Sequence, residues 1–132
     1  MILVDTNVWI DLIQNDPVWM PWSKEQVVLA KAKNKLAINP VVYAELVPNY
    51  DTFDELAHFV KLSSAAMQPL SDHCAYEAGR AFVSYRQRGG AKTGVLADFF
   101  IGAQAVVEDW TLLTRDAARY KTYFPKIKLI CP

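Results

Sequence analysis

Four acidic residues stand close behind short apolar runs or at the head of a helical one. Asp5 directly follows Ile2-Leu3-Val4, and Asp116 lies two residues past Thr111-Leu112-Leu113-Thr114. Glu45 falls in the helical stretch after Leu36 to Ile38. Asp98 heads a helical run in which Ile101, Gly102 and Ala105 follow at i+3, i+4 and i+7, so it is expected on their inward face. In an open parallel sheet, ligands gather beyond the carboxyl ends of the strands, near the point where strand order reverses. Four acids from distant stretches of chain can therefore meet at one sheet edge. Taken singly each has a plainer role, Asp116 as a helix N-cap and Asp5 as a turn residue bonding its own backbone. Taken together they would repel by roughly 2–3 kcal/mol per pair at ~6 Å and an effective dielectric of 20. A proton or a cation would be needed to hold them. Oxygen donors with no His or Cys beside them in sequence favour Mg²⁺ or Mn²⁺ over zinc.

The elements that must position these acids alternate between strand and helix along the whole chain. Ile2 to Val4 reads as a buried strand and Val8 to Ile13 as the helix after it. Ser23 with Gln26 has the spacing of a capping box for a helix carrying Val27 to Leu29 and the lysines Lys31, Lys33 and Lys35. Leu36 to Ile38 is a strand, and Asn39-Pro40 supplies an N-cap and first-turn proline for a helix over 41–47 that Pro48 stops. Asp51 is expected to cap Phe53 to Leu62, and Ala66 to Leu70 to be extended. Ser71 opens a long helix with Ala75, Ala78, Gly79 and Phe82 on one face, closed by Gly89-Gly90. A helix from about Val95 to Glu108, a strand over 111–114, a short helix begun by Asp116 and a strand over 127–130 complete the pattern. Strands separated by helices imply right-handed crossovers and a mainly parallel sheet covered on both faces, one α/β domain over residues 1–132.

With these positions in view, the sequence resembles the PIN-domain nucleases, and within them the toxin ribonucleases of bacterial and archaeal VapBC toxin–antitoxin modules. The matching segments are Leu3-Val4-Asp5-Thr6-Asn7-Val8-Trp9-Ile10-Asp11, Val42-Tyr43-Ala44-Glu45-Leu46, the run from Ala97 to Ala105, and Leu113-Thr114-Arg115-Asp116. They occur in the family's order and span nearly the whole chain. The resemblance implies that Asp5, Glu45, Asp98 and Asp116 are the catalytic acids. Asp5, Asp98 and Asp116 would hold Mg²⁺ or Mn²⁺, which orients and acidifies a water for in-line attack on a phosphodiester. Glu45 would hold that water or a second ion. Thr6, Asn7 and Thr114 would orient the carboxylates by hydrogen bonds. It also implies a homodimer inhibited by a cognate antitoxin, through which alone the complex would reach operator DNA. One departure is visible: Pro48-Asn49-Tyr50 interrupts where many relatives continue through Leu and Gly into a long helix.

Composition narrows the alternatives. The chain has 132 residues, 14 basic and 14 acidic groups, and a formal net charge of zero, so it is not a protein that coats DNA through bulk positive charge. The bias is local, with 5 basic and 8 acidic groups in residues 1–66 against 9 and 6 in 67–132. Two cysteines make neither a disulfide framework nor a four-ligand zinc site. No basic leader and no long apolar run are present, and a soluble cytoplasmic protein is expected. Arg86, Arg88 and Lys92 around Gly89-Gly90, together with Arg115, are candidate RNA contacts. Arg115 and Arg119 stand beside Asp116 and could pair with it. Trp19-Met20-Pro21-Trp22 is read as a segment between two helices that packs on the core or offers an apolar surface to a partner. His58 and His73 are expected to lie away from the acids. Two rivals remain. A phosphotransfer domain would use Asp5 as nucleophile, but wants a second acid where Asn7 stands. A catalytically lapsed module would serve only antitoxin binding and operator autorepression.

Overall fold

In a computed structural model that describes residues 1–132, five three-residue strands pair entirely in parallel. They are β1 (Ile2–Val4), β2 (Leu36–Ile38), β3 (Ala65–Met67), β4 (Thr111–Leu113) and β5 (Lys128–Ile130), in the spatial order β3-β2-β1-β4-β5. Every residue of β1 and β2 is buried, as a strand covered on both faces requires. Leu3 sits opposite Ala37 on one side and Leu112 on the other. The chain moves outward from β1 to β2 and β3, then returns to lay β4 on the other flank of β1. The order therefore reverses between β1 and β4, and the crevice at their carboxyl ends is where a ligand is expected.

Seven helices connect and cover the strands: α1 (Thr6–Ile13), α2 (Met20–Lys33), α3 (Pro40–Leu46), α4 (Phe53–Leu62), α5 (Asp72–Gln87), α6 (Val95–Val107) and α7 (Ala118–Tyr123). None is long and apolar enough to cross a membrane. The core gathers Trp9 of α1, Phe99 and Ile101 of α6, and Leu3, Ile38, Leu112 and Leu113 of the strands. Cys74 and Cys131 are free thiols.

Several helix starts and caps differ from the sequence reading, at α1 and α4 because another side chain performs the capping. Asp5 itself caps α1, its Oδ1 accepting from the Thr6 amide at 2.7 Å, so α1 begins two residues earlier than Val8. The Ser23–Gln26 box does not form. Asp16 accepts from the amides of Val18 and Trp19 at 2.9 and 2.8 Å, and α2 starts at Met20 with Pro21 in its first turn. Ser23 is left inside the helix, fully buried. Thr52 rather than Asp51 caps α4, in a reciprocal box with Glu55. Asp116 caps nothing, because α7 starts at Ala118 without a side-chain cap. The extended segment before α5 is Ala65–Met67 rather than 66–70, and β5 starts at Lys128. On α5 the buried stripe is Cys74, Ala78 and Ala81, and Ala75 is exposed. Asn39 caps α3 as its sequence implies, and a single 3-10 turn over Val47–Asn49 follows where Pro48 interrupts.

One close packing contact holds α7 in place. A Cβ added at Gly102 would stand 2.6 Å from Cε2 of Phe124 and 3.0 Å from Cδ1 of Tyr120, whereas one at Gly79 would meet nothing within 4 Å. Gly102→Ala is therefore expected to lose about 1–2 kcal/mol, overpacking outweighing the gain in helix propensity. Gly79→Ala is expected to gain up to about 1 kcal/mol. Urea unfolding of the two variants beside the parent checks the contrast, and a stabilised Gly102→Ala would contradict the packing argument.

Candidate active site

Asp5, Glu45, Asp98 and Asp116 line one cavity of about 220 Å³ together with Thr6, Asn7, Ile10, Arg119 and Tyr120. The cavity opens at the carboxyl ends of β1 and β4, where the strand order reverses. Asp5 reaches it from the β1–α1 junction, Glu45 from the last turn of α3, Asp98 from the first turn of α6, and Asp116 from the turn between β4 and α7. A fixed hydrogen-bond frame sets their orientation. Asn39, at the head of α3, donates from Nδ2 to Oε1 of buried Gln104 at 3.0 Å, which ties the helix carrying Glu45 to the helix carrying Asp98.

Asp5 is the most constrained of the four, with 4% of its surface exposed. Its Oδ2 accepts from the Thr114 hydroxyl at 2.7 Å, the Tyr120 hydroxyl at 3.0 Å and Nδ2 of Asn7 at 3.3 Å. These donors favour the carboxylate, but burial outweighs them, and the Asp98 charge adds to it, so the Asp5 pKa is pushed up to about 6. Burial also raises Glu45, whose Oε1 accepts from the Thr6 hydroxyl at 2.7 Å. Burial raises Asp98 too, against the pull of Arg119. The Tyr120 hydroxyl is held protonated, first by burial and then by the charges of Asp5, Asp98 and Glu45. Burial is thus the leading cause of these shifts, and the neighbouring acids add to it.

Thr6, Asn7 and Thr114 each touch a carboxylate or one another: Asn7 Nδ2 also donates to Thr114 Oγ1 at 3.2 Å, and the Asp116 amide donates to the same oxygen at 3.1 Å. Asp98 departs from the buried inward position read from its helical spacing. A third of its side chain is exposed at the cavity edge, and Arg119 Nη1 donates to its Oδ2. The two arginines beside Asp116 pair elsewhere. Arg119 takes Asp98, and Arg115 Nε donates to Oδ2 of buried Asp11 at 3.0 Å while its guanidinium lies 5.5 Å from the Trp19 ring centre. That pairing engages Arg115 within its own chain and accounts for the tryptophan segment. Trp19 and Trp22 meet edge to face and are half-buried, so the segment is packed inward. Arg86, Arg88 and Lys92 do not line the acid cavity: Arg86 lies 5.1 Å over Phe82, Arg88 5.3 Å over Tyr123, and Lys92 is exposed in the loop. His58 and His73 are exposed on α4 and α5.

Two contributors escaped the sequence reading. Tyr120 carries only a position four residues after Asp116 as a signal, and its role depends on α7 folding back on α6. Asp11, which closes the first matching segment, is fully buried.

The PIN-domain family profile matches residues 2–125 of this sequence. The chain belongs to the PIN-domain family. Ribonuclease VapC10 of Mycobacterium tuberculosis is 31% identical to it over 132 residues, all of this chain and 92% of the relative. Its fold is that of PIN domains in solved toxin–antitoxin structures. VapBC2 from Rickettsia felis, bound to a DNA fragment from its promoter, superposes with a TM-score of 0.75 at 23% identity, covering 100% of this chain and 99% of that one. VapBC-1 of nontypeable Haemophilus influenzae gives 0.72 at 15% identity, with 99% and 98% covered.

The donor set of this PIN domain suits a hard divalent cation in its chemistry: carboxylate oxygens only, on a cavity wall with surplus negative charge. As the side chains stand, no three of them close on one ion. Mg²⁺ tolerates that arrangement, because it keeps several waters and needs only one or two direct carboxylates.

Proposed function

We propose that this PIN domain, taken as residues 1–132, is an endoribonuclease toxin of the cytoplasm. It hydrolyses phosphodiester bonds of RNA with Mg²⁺ or Mn²⁺ and is held inactive by a cognate antitoxin. The observation that carries this reading is the meeting of four carboxylates from four separate elements in one cavity at the sheet's reversal point. The likeness to a named ribonuclease over the full chain supports the substrate class.

In this reading Asp5, Asp98 and Asp116 would hold the cation, directly or through its waters, and Glu45 would bind the attacking water. The cation, when bound, neutralises charge developing on the phosphoryl oxygens and lowers the pKa of the water. Asp5 works as a carboxylate, and the hydroxyls of Thr114 and Tyr120 and the amide of Asn7 keep it in one orientation. Thr6 fixes Glu45 by its 2.7 Å hydrogen bond, leaving the second carboxylate oxygen, Oε2, to accept a proton from water. Arg119 balances Asp98 at the cavity rim. No side chain acts as a covalent nucleophile. The protein works as a homodimer that joins its antitoxin in a heterocomplex, reaching operator DNA only through that partner. Exposed Val47 and Phe53, beside Tyr43 and Tyr50, offer apolar surface of the kind a partner covers.

Partner-free protein is expected to cleave single-stranded RNA in Mg²⁺ or Mn²⁺ and to stop in EDTA. Gel analysis of a labelled oligonucleotide checks this. Undiminished cleavage in EDTA would remove the metal mechanism, and no cleavage in either metal would favour the lapsed module.

A further inference from the structure

The acid cavity is not the only concavity that α7 lines. A second one, of about 270 Å³, lies in the seam between α5 and α7 and is walled by Glu77, Arg80, Ser84, Arg88, Thr122 and Tyr123 among others. It carries two guanidinium groups against one carboxylate. Glu77 accepts from Arg80 through Nε at 3.2 Å, which leaves the terminal N–H groups of Arg80 uncommitted. Arg88 has no carboxylate partner. Its guanidinium is held 5.3 Å from the centre of the Tyr123 ring. That ring is itself fixed, 5.1 Å from Phe99 and 6.0 Å from Tyr85. Arg88 is thus an exposed charged donor beside an aromatic ring, with no carboxylate to engage its N–H groups.

The linings of the seam and the acid cavity are about one helical turn apart on α7. Arg119 lines the acid cavity, while Thr122 and Tyr123, three and four residues later on α7, line the seam. Residues so spaced share one side of a helix, about one turn or 5.4 Å apart. A strand leaving the acid cavity along α7 would meet the seam within about one helical turn. Such a strand needs positive charge there, because the acids that would cut it repel its phosphates. In the acid cavity the one guanidinium, Arg119, is engaged by Asp98.

We infer that the α5–α7 seam is a phosphate subsite for the RNA strand next to the scissile bond, with Arg88 and Arg80 as its binding groups. The inference rests on the ribonuclease reading. Guanidinium forks and the hydroxyl of Ser84 match phosphate oxygens, while Thr122 spends its O–H on the Ala118 carbonyl, and contacts of this kind position a strand without reading its bases. Arg86 and Lys92, close by in sequence, lie outside the seam and have no part in it.

The test compares Arg88→Glu with Arg86→Glu, which makes the same change of charge outside the seam. Steady-state cleavage in Mg²⁺ is measured on a dinucleotide, which occupies the acid cavity alone, and on a twelve-nucleotide single strand. Arg88→Glu is expected to raise KM on the longer strand about tenfold, the loss of one charge-assisted contact. Its kcat and its dinucleotide cleavage should match the parent, and Arg86→Glu should change KM less than about threefold. The salt dependence of strand binding in EDTA, read by fluorescence anisotropy, should shallow by about 0.7 in log–log slope for Arg88→Glu. Arg80→Gln, which keeps the shape of its helix face, should reproduce the KM effect in smaller degree. Equal KM effects from Arg86→Glu and Arg88→Glu would reduce the seam to general electrostatics and overturn the proposal. Unchanged RNA kinetics with weakened binding of an acidic antitoxin segment would give the seam to the protein partner instead, and also overturn it. A parent that cleaves nothing in Mg²⁺ or Mn²⁺ would mark failure of the ribonuclease reading itself.

Discussion

Replacing Asp5 by Asn is expected to lower RNA cleavage more than about a hundredfold while making the metal-free protein more stable at neutral pH. Loss of activity comes from removing a carboxylate from the all-oxygen donor set. The gain in stability comes from burial. Asp5 has a pKa of about 6 in the folded chain against an ordinary value of 3.8. That gap corresponds to about 3 kcal/mol at pH values above both. Asn keeps the Oδ1 acceptor for the Thr6 amide but loses the acceptor at Oδ2, where the Thr114 and Tyr120 hydroxyls must turn to accept from its NH₂ group and Asn7 Nδ2 keeps only its bond to Thr114. A net gain of about 1–2 kcal/mol remains. Its pH dependence has a definite sign. Because the folded pKa is raised, the folded state binds more protons than the unfolded chain, and the contribution of Asp5 to stability is full below about pH 4. That contribution is lost as pH rises through about 6. The advantage of the Asn variant should therefore be absent at pH 4, grow between pH 4 and 6, and level off above. Thermal melts in EDTA across that range measure it. Mg²⁺ should raise the melting temperature of the parent and do much less for the variant. A variant equally destabilised at pH 4 and pH 7.5 would mean that the hydrogen bonds at Oδ2 matter more than the buried charge.

Arg115→Ala is expected to cost about 2–4 kcal/mol of stability and to lower cleavage about tenfold, with the damage in kcat. The Asp11 side chain is 1% exposed and its Oδ2 takes hydrogen bonds from Arg115 at 3.0 Å and Ser23 at 2.7 Å. Its Oδ1 has no partner, so removing Arg115 leaves a buried carboxylate with one hydroxyl for company. The same arginine donates from its backbone amide to Asn7 Oδ1 at 3.3 Å and directly precedes Asp116. Its side chain anchors the β4–α7 turn to α1, and with it the position of Asp116. In the double variant Asp11→Leu/Arg115→Met, apolar groups of similar volume replace the pair, and stability should return to within about 1 kcal/mol of the parent. Activity should recover only in part, because the anchor is gone. Urea unfolding of the single and double variants gives the coupling directly. An Arg115→Ala protein with parental stability and weakened RNA binding would return this residue to the role its place beside Asp116 suggests.

Asp98 illustrates how tertiary pairing alters the expected outcome of a substitution. As one of four converging acids with no partner, its replacement by Asn would relieve repulsion. Paired with Arg119 at the cavity rim, it is offset by a cation within its own chain. The relief is then concentrated at Asp5, which has hydrogen-bond donors around it but no positive charge.

Placement of strands and helices, the order of the acids along the chain and the hardness of their donor atoms were legible from residue types alone. Apolar runs of strand length set between helical periods leave few topologies, and an acid directly after a strand has one end of the sheet at which to appear. Caps were legible where one good candidate stood alone, as at Asn39 and Ser71. They were misread where a neighbour competed, as with Asp51 against Thr52, or where the helix began earlier without a side-chain cap, as with Ser23 in α2. Partners were decided by the tertiary structure alone. Arg115 sits one residue from Asp116 yet binds Asp11, 104 positions away, and Tyr120 donates to Asp5, 115 positions away. Long side chains reach several acids equally well in sequence. Which one they meet depends on how α7 settles against α6 and how the β4–α7 turn lies over α1, through contacts that local spacing does not encode.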